Sequence, residues 1–372
     1  MAPTDEAFEF AVLLKKRPTE PGMGAARVRF FKEQQLGEQG ITTMIVGSGD
    51  FRYEVAVGWE QLPNGWHHGD VSRVVTDKED RVYVFNRSPH PVIVYDRDGR
   101  FLGSWGEGVF ARAHGISITH DGFVYCADDK DHSVRKFTLD GRLVQILGTV
   151  NQPSDTGYAG PGPIGVSTIK RGAGPFNRPT QVFQAAGGDV YVSDGYGNAR
   201  VHRFTAAGEL IQSWGEPGDQ PGHFNLPHSV WAHTDGRVFV CDRENDRVQI
   251  FSGTGEYLGA WDDLSRPQDL CIDAQNHVYI GESASKAGRL TLAARPITRT
   301  CPAQVSIRDL DGNVLARWGA NDPFALDGFA SCHGICVDSH GDIYVSEVAH
   351  TTLSRSGQYQ PDYPSLKKFV RI

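Results

Sequence analysis

The sequence lacks the features that would place the protein in a membrane or on a nucleic acid. No stretch approaches the roughly 18 uninterrupted apolar residues of a transmembrane helix. The N-terminus carries two acids before a very short apolar run and no basic segment, so we expect no signal peptide and a cytoplasmic location. The 37 basic residues are outnumbered by 45 acidic ones, for a net charge of −8. That balance argues against nucleic-acid and anionic-lipid partners.

The chain has only six cysteines, and several lie in strand-like segments such as VYCAD and VFVCD. In a cytoplasmic protein this pattern predicts reduced, buried thiols that act as small hydrophobic residues. Cys332 and Cys336 flank His333, which leaves a thiolate ligand open as a lesser alternative. The 43 glycines and 20 prolines favour many tight turns over long helices.

One phrase recurs six times along the chain. It begins with an Asp/Gly turn and a short V-Y-V-type strand, and it continues with two further strands joined by polar turns. THDGFVYCADDKDHSVRKFTLDGRLVQILG and HTDGRVFVCDRENDRVQIFSGTGEYLGAWD are two of the copies, and each copy follows one more short strand such as HGISI or HSVWA. Four-stranded units at this spacing predict an all-β fold, a six-bladed β-propeller, and the pattern resembles NHL repeats.

The last repeat ends with the chain before a fourth strand can form. YEVAVGWEQLP, which precedes the first repeat, resembles the fourth strand of the other units. We therefore expect residues near 53–59 to supply the outer strand of the last blade and close the ring. The predicted organisation is an N-terminal extension, 1–45, followed by the propeller, 46–372. AFEFAVLLKK in the extension is a candidate for a helix packed on the outside or an oligomer contact, and the oligomeric state stays open.

Histidines alternate around the predicted ring. The second strand of each repeat carries one aromatic residue, and the position eleven residues earlier begins the innermost strand. In chain order that position holds Ser72, His114, Thr180, His228, Gln268 and His333. Alternate blades are about 120° apart, so three imidazoles converge on the channel axis. This is the arrangement of a metal site with one open position, and zinc is the first expectation among the divalent transition metals.

A second set of polar residues ends the neighbouring strands at the same rim. Arg87 and Arg243 follow the aromatic by four residues in the first and fourth repeats, and Tyr196 lies one step further along in the third. Two arginines suit a carboxylate or another anion. A tyrosine near a metal ion and arginines is a candidate base. An ion pair within its own turn is the alternative role for Arg243, and rim packing is the alternative for Tyr196.

Three insertions interrupt the repeats on this face, and we expect them to roof the channel mouth. They span 149–177, 284–304 and 350–363, and the first contains Lys170 and Arg171 as candidate contacts or solvated loop residues. Other histidines lie in loops and are weaker ligand candidates, namely His67, His68, His90 and His350.

The segments NRPTQVF, VYVSDGYGNARVHRF, GHFNLPHSVW and VCDRENDRVQIF resemble the peptidyl-α-hydroxyglycine α-amidating lyase domain of peptidylglycine α-amidating enzymes. The resemblance is strongest over 178–251. It implies a zinc ion on His114, His228 and His333, a catalytic Tyr196, and substrate-binding arginines at Arg87 and Arg243. These are the same six residues that the repeat alignment selects.

The sequence also departs from that family. The resemblance implies a structural calcium on the backbone oxygens of Val74 and Ile116 and on an acid after the third histidine, where this chain has Gly334, so calcium is doubtful. The family's disulfide cysteines are unmatched, and its methionine is replaced near Ser331. We expect no fused copper monooxygenase domain.

The implied reaction cleaves the C–N bond of an α-hydroxylated amide, giving an amide and an aldehyde such as glyoxylate. The expected partner is a small-molecule substrate with an anionic group. Two other hypotheses stay open: a metal-dependent propeller hydrolase of the lactonase or esterase type, and a non-catalytic NHL-type binding module.

Overall fold

The computed structural model describes residues 44–372. The extension through residue 43, including the predicted AFEFAVLLKK helix, lies outside the described residues. The elements are β1 (Ile45–Ser48), β2 (Phe51–Ala56), β3 (Val71–Thr76), β4 (Val82–Asn86), β5 (Val92–Tyr95), β6 (Phe101–Trp105), β7 (Ala113–Ile118), β8 (Phe123–Asp128), β9 (Ser133–Thr138), β10 (Leu143–Leu147), β11 (Pro179–Gln184), β12 (Val190–Asp194), β13 (Arg200–Phe204), β14 (Leu210–Trp214), β15 (Pro227–Ala232), β16 (Arg237–Asp242), β17 (Arg247–Ser252), β18 (Tyr257–Trp261), β19 (Pro267–Ile272), β20 (Val278–Glu282), β21 (Gln304–Arg308), β22 (Val314–Trp318), β23 (Cys332–Val337), β24 (Ile343–Glu347), α1 (Ala349–Ser356) and β25 (Leu366–Arg371), with 3-10 turns at Gly165–Thr168 and Arg243–Asn245.

The strands form six antiparallel sheets, and each sheet is one propeller blade. Blades 1 to 5 are β3–β6, β7–β10, β11–β14, β15–β18 and β19–β22, each in sequence order. The innermost strands contact their neighbours all the way round the ring, from β3 through β7, β11, β15 and β19 to β23 and back to β3. The predicted six-bladed β-propeller is confirmed.

The sixth blade combines the two ends of the propeller. Its order is β23-β24-β25-β2-β1, and β2 pairs with β25 through registers such as Tyr53 with Arg371. The expected closing strand is therefore present, at Phe51–Ala56 rather than 53–59. The structure adds a fifth strand, β1, which hairpins back on β2 from Ile45 and which the repeat pattern did not predict. Because β1 covers the outer edge of β2, the closing strand is not the edge of the blade.

A buried acid ends the second strand of blades 2 to 6. In each case the carboxylate accepts a backbone N–H from the loop that leads into the innermost strand of the same blade. Asp194, for example, accepts from the N–H of Asn177 at 2.9 Å, and Asp242 accepts from that of Asn225 at 2.8 Å. The full set is Asp128, Asp194, Asp242, Glu282 and Glu347. These bonds fix the ends of two strands at one rim, where the candidate site lies.

Apolar side chains of adjacent blades pack into shared clusters. Tyr53 of β2, for example, packs with Trp318 of blade 5, their ring centres 5.5 Å apart. Between residues 44 and 372, no helix is long and apolar enough to cross a bilayer.

Candidate metal centre

Three histidines meet at the channel axis. His114, His228 and His333 lie near the start of β7, β15 and β23, the innermost strands of blades 2, 4 and 6. Their ring centres are 4.9, 5.0 and 4.7 Å apart, a nearly equilateral triangle. One nitrogen from each ring lies within 4.8 Å of the others, and all three side chains are buried. Because histidine occupies this position in alternate blades, the three rings are arranged with threefold symmetry around the channel axis.

The intervening blades orient these rings. Each Nδ1 lies 2.7 Å from a backbone oxygen of the next blade: His114 on Thr180, His228 on Gln268 and His333 on Ser72. A carbonyl oxygen only accepts, so Nδ1 is the protonated nitrogen in every ring. Nε2 is then the unprotonated nitrogen in every ring, the form that can bind a metal ion. The three equivalent positions without histidine, Ser72, Thr180 and Gln268, each contribute a backbone oxygen. This contact does not depend on which side chain the position carries.

This arrangement fits a bound metal ion. Nε2 of His114 is fully buried and has no hydrogen-bond partner within the described residues. Burial, reinforced by neighbouring positive charges, lowers the pKa of all three histidines well below 6.5, so the rings are neutral at pH 7. Neutral imidazoles held by carbonyl acceptors are the usual ligand form.

Tyr196 lies beside the triangle because glycines flank it. A Cβ on Gly195 would lie 2.2 Å from the Pro227 oxygen, and one on Gly197 would lie 2.1 Å from Oδ1 of Asn177. The D-G-Y-G segment can therefore pack closely against the start of β15 and the loop at Asn177, which places the tyrosine beside the histidines. The Tyr196 hydroxyl lies 3.3 Å from Nε2 of His228.

Arg243 reaches Tyr196 from blade 4. Its Nη1 donates to the Tyr196 hydroxyl and to Oε1 of Gln268, both at 3.3 Å, while Nε donates to Glu244 at 2.7 Å. Glu244 is fully buried and also pairs with Arg266 at 2.8 Å. Arg243 thus makes both the predicted rim contact and an ion pair within its own turn.

Arg87 lies on the blade 1 side of the same mouth. Its Nε donates to the Ala113 oxygen, next to His114, and its Nη1 pairs with Asp70 at 3.1 Å. Asp70 also accepts from Thr351 of α1, so the third insertion supports this arginine. The Nη2 groups of Arg87 and Arg243 make no hydrogen bond within residues 44–372. They are the donors left for a ligand.

The first two insertions meet near Tyr196. An apolar cluster joins them: the first insertion contributes Val166 and Ile169, which pack with Leu226. Tyr196 contacts this cluster, and so does Leu292 of the second insertion. The Ser167 N–H donates to the Leu292 oxygen at 3.2 Å. Of the two charged candidates in the first insertion, Arg171 pairs with Asp155 and Lys170 is exposed.

Sequence reasoning missed a charged cluster between blades 2 and 3. Asp129, which is fully buried, accepts from Arg112 at 2.8 Å and from Arg178 at 2.9 Å. The guanidinium carbon of Arg178 lies 5.7 Å from the centre of the Tyr196 ring. Both arginines, like Arg266, stand two positions before the innermost-strand position of their blades. That recurrence was a signal available in the repeat alignment.

The residues one step below the histidines do not fit the calcium that the resemblance implies. Arg73 pairs there with Asp269, and both side chains are buried. The Ile116 oxygen accepts from Gln181 at 3.3 Å. A Cβ on Gly334 would lie 2.9 Å from Cα of Arg73, so the missing side chain makes room for the arginine. A guanidinium already supplies the positive charge at this level.

The other ligand candidates lie outside the triangle. Within the described residues, the only three-residue cluster able to hold a metal consists of the three histidines. Burial raises the pKa of Cys332 and Cys336 well above 9, so both remain neutral thiols. All six cysteines are free. The loop histidines predicted as weaker ligands, His67, His68, His90 and His350, are not part of the cluster.

Known proteins resemble this chain in repeat, sequence and fold. The NHL repeat model matches residues 224–251. Human NHL repeat-containing protein 3 is 33% identical over 221 residues, covering 56% of this chain and 59% of that protein. The Caenorhabditis elegans protein named "Probable peptidyl-alpha-hydroxyglycine alpha-amidating lyase" is 25% identical over 270 residues, covering 69% and 67%. A streptogramin B lyase structure aligns with a TM-score of 0.52 at 11% identity over 86% of each chain, which shows the fold alone.

The fold and the repeat define the chain as an NHL-type six-bladed propeller. The chain is similar in sequence to NHL repeat-containing proteins and, at lower identity, to a protein named as a probable peptidyl-α-hydroxyglycine α-amidating lyase. The chain spans about three-fifths of the length of the NHL repeat-containing relatives that it matches.

Proposed function

We propose that this chain is a metal-dependent lyase that cleaves the C–N bond of an α-hydroxylated amide, releasing an amide and an aldehyde such as glyoxylate. The observation that carries the proposal is the position of the Tyr196 hydroxyl, 3.3 Å from both Nε2 of His228 and Nη1 of Arg243. The candidate metal ligands, a group able to transfer a proton and a hydrogen-bond donor for an anion therefore lie together at one mouth of the channel. The sequence similarity to amidating lyases supports the same reaction.

His114, His228 and His333 would hold the metal ion, with zinc as the first choice for a three-imidazole set. When bound, such an ion supplies Lewis acidity that lowers the pKa of a substrate hydroxyl.

The chain's own residues bind the substrate and move its proton. The Nη2 groups of Arg87 and Arg243 hold the carboxylate beside the hydroxyl-bearing carbon and so fix its orientation. Tyr196 relays the proton: its oxygen accepts the substrate hydroxyl proton while its own phenolic proton passes to the departing amide nitrogen, so the side chain begins and ends with one proton. The electron pair of the substrate O–H bond forms the new C=O bond, and the C–N pair leaves with the nitrogen.

The test combines metal content with product release. Elemental analysis of wild type should give about one transition-metal ion per chain, and His228→Ala should lose it. His120→Ala, at an exposed turn of the same propeller, is the matched control and should keep the metal. The wild type should release glyoxylate from N-acyl-α-hydroxyglycines, and His228→Ala should not.

Two outcomes would overturn the proposal. A protein that binds no metal, even with added zinc, would be a propeller binding module. A metal-loaded protein that opens lactones and releases no glyoxylate would be a hydrolase.

A further inference from the structure

A cavity of about 310 Å³ lies where the first insertion meets blades 2 and 3. The insertion contributes Pro153, Tyr158 and Pro161 to its wall, and the blades contribute Asp129, Lys130 and Arg178. This volume is at the lower end of small-molecule sites, roughly 300–1,000 Å³, and suits a short chain rather than a large group.

The charged groups around this cavity leave an excess of positive charge. Asp129 is its acid, and that carboxylate already accepts from both Arg112 and Arg178. Lys130 is exposed and makes no ion pair within residues 44–372. In the cavity lining, one carboxylate therefore faces two cationic side chains, Lys130 and Arg178. A ligand that enters this space meets donors suited to a carboxylate.

The cavity shares a wall with the candidate metal centre. Arg178 lines the cavity, and its guanidinium carbon lies 5.7 Å from the centre of the Tyr196 ring. Tyr158 also lines it and contacts the same apolar cluster as Tyr196. A substrate with its reacting carbon beside Tyr196 can thus extend one end into this space.

We propose that this cavity receives the acyl end of the substrate, and that Arg178 and Lys130 select an acyl group bearing a carboxylate. The inference rests on the proposed function and sharpens it. The substrate class becomes a small α-hydroxylated amide with a negative charge at each end: one carboxylate on Arg87 and Arg243, the other in this cavity. The excess charge makes this assignment, because the single carboxylate of the lining, Asp129, is already shared between Arg112 and Arg178, and Lys130 has no ionic partner within residues 44–372.

Binding of unreactive analogues tests the cavity without relying on catalysis. N-succinylglycine and N-butyrylglycine have similar length, lack the hydroxyl group, and differ in charge at the acyl end. Calorimetry on the metal-loaded wild type should show at least about tenfold tighter binding of the succinyl compound, a factor typical of one charge-assisted contact. Equal affinity for both compounds would overturn the proposal.

Substitutions test which residues produce the preference for the succinyl compound. Arg178→Gln should abolish the succinyl preference, and Arg171→Gln, in the first insertion and paired with Asp155 at the surface, should keep it. Because Arg178→Gln removes a partner of a buried carboxylate, Lys130→Gln provides a second test on an exposed side chain. It should reduce the preference several-fold without unfolding the protein. A preference unchanged in both folded variants would contradict the assignment.

Turnover of the matching α-hydroxyglycines separates this inference from the lyase proposal. If N-butyryl- and N-succinyl-α-hydroxyglycine are cleaved with equal kcat/KM, the lyase stands and the cavity assignment fails. If neither is cleaved but the Arg178-dependent binding preference holds, the cavity binds carboxylates and the lyase proposal fails.

Discussion

The imidazole of His333 donates its Nδ1 proton to the backbone oxygen of Ser72, 2.7 Å away, across the junction between the last blade and the first. The same bond joins His114 to Thr180 and His228 to Gln268. Each ligand ring is thus oriented by the blade that follows it. The geometry of the centre depends on closure of the ring, because one of the three bonds spans the closing junction.

Metal binding should resist acid. Burial lowers the pKa of the three histidines well below 6.5, and the neutral imidazole is the form that binds metal. Protons therefore compete only far below pH 6.5. We expect the dissociation constant for zinc to rise less than about tenfold between pH 7.5 and 5.5, whereas three histidines of pKa about 6.5 would lose about a thousandfold. Competition with a chromophoric chelator at each pH measures this, with a solvated three-histidine peptide as reference.

Tyr196→Phe should separate chemistry from metal binding. The change removes the hydroxyl near His228 and Arg243 but leaves the three Nδ1 bonds intact. We expect unchanged metal content and a kcat about 10² to 10⁴ lower, the range for loss of a proton-transfer group. Tyr359→Phe, at an exposed position in the third insertion, should leave kcat unchanged. Full activity in the Tyr196→Phe variant would remove this hydroxyl from the proton pathway.

The ion pair below the histidines should replace calcium in stabilising the channel. Asp269 accepts from Ser229 at 2.7 Å and from the N–H groups of Leu270 and Ile335 at 2.8 and 3.0 Å, and its ionic partner is Arg73. Arg73→Met leaves a buried carboxylate uncompensated, so we expect a loss of about 3–5 kcal/mol in the free energy of unfolding by urea. Adding Asp269→Asn should recover part of that loss, because the remaining group is neutral.

Calcium itself should have little effect on the wild type. We expect the Tm to be the same in excess calcium and in a calcium chelator, because the Arg73 guanidinium already compensates the buried Asp269 carboxylate. A calcium-dependent rise in Tm of several degrees would show that the ion binds despite the arginine.

The features that repeat along the chain are the ones that could be predicted from its sequence. The blades and the alternating histidines recur at fixed spacing, so both could be read from an alignment of the chain with itself. The carbonyl acceptors could not, because Ser72, Thr180 and Gln268 contribute backbone atoms that carry no residue signature. The cluster around Asp129 depends on which blades adjoin at the mouth. Strand β1 lies before the first repeat and has no counterpart in the other blades.

Closure of the ring gives the last prediction. Tyr53 is fully buried on β2, where it packs against Trp318 of blade 5, while β2 itself pairs with β25. Truncation to alanine removes a core side chain from a strand that holds two blades together. We expect Tyr53→Ala to lower the free energy of unfolding by about 3–5 kcal/mol, as for other large core aromatics.

Ile45→Ala is the control. Ile45 lies on the outer face of β1 with 54% of its surface exposed, so its truncation should lower the free energy of unfolding by less than about 0.5 kcal/mol. Urea unfolding of both variants makes the comparison. His333 lies on the innermost strand of the blade that β2 completes, so Tyr53→Ala should also weaken zinc binding. Equal stability and affinity in the two variants would show that closure by β2 is dispensable.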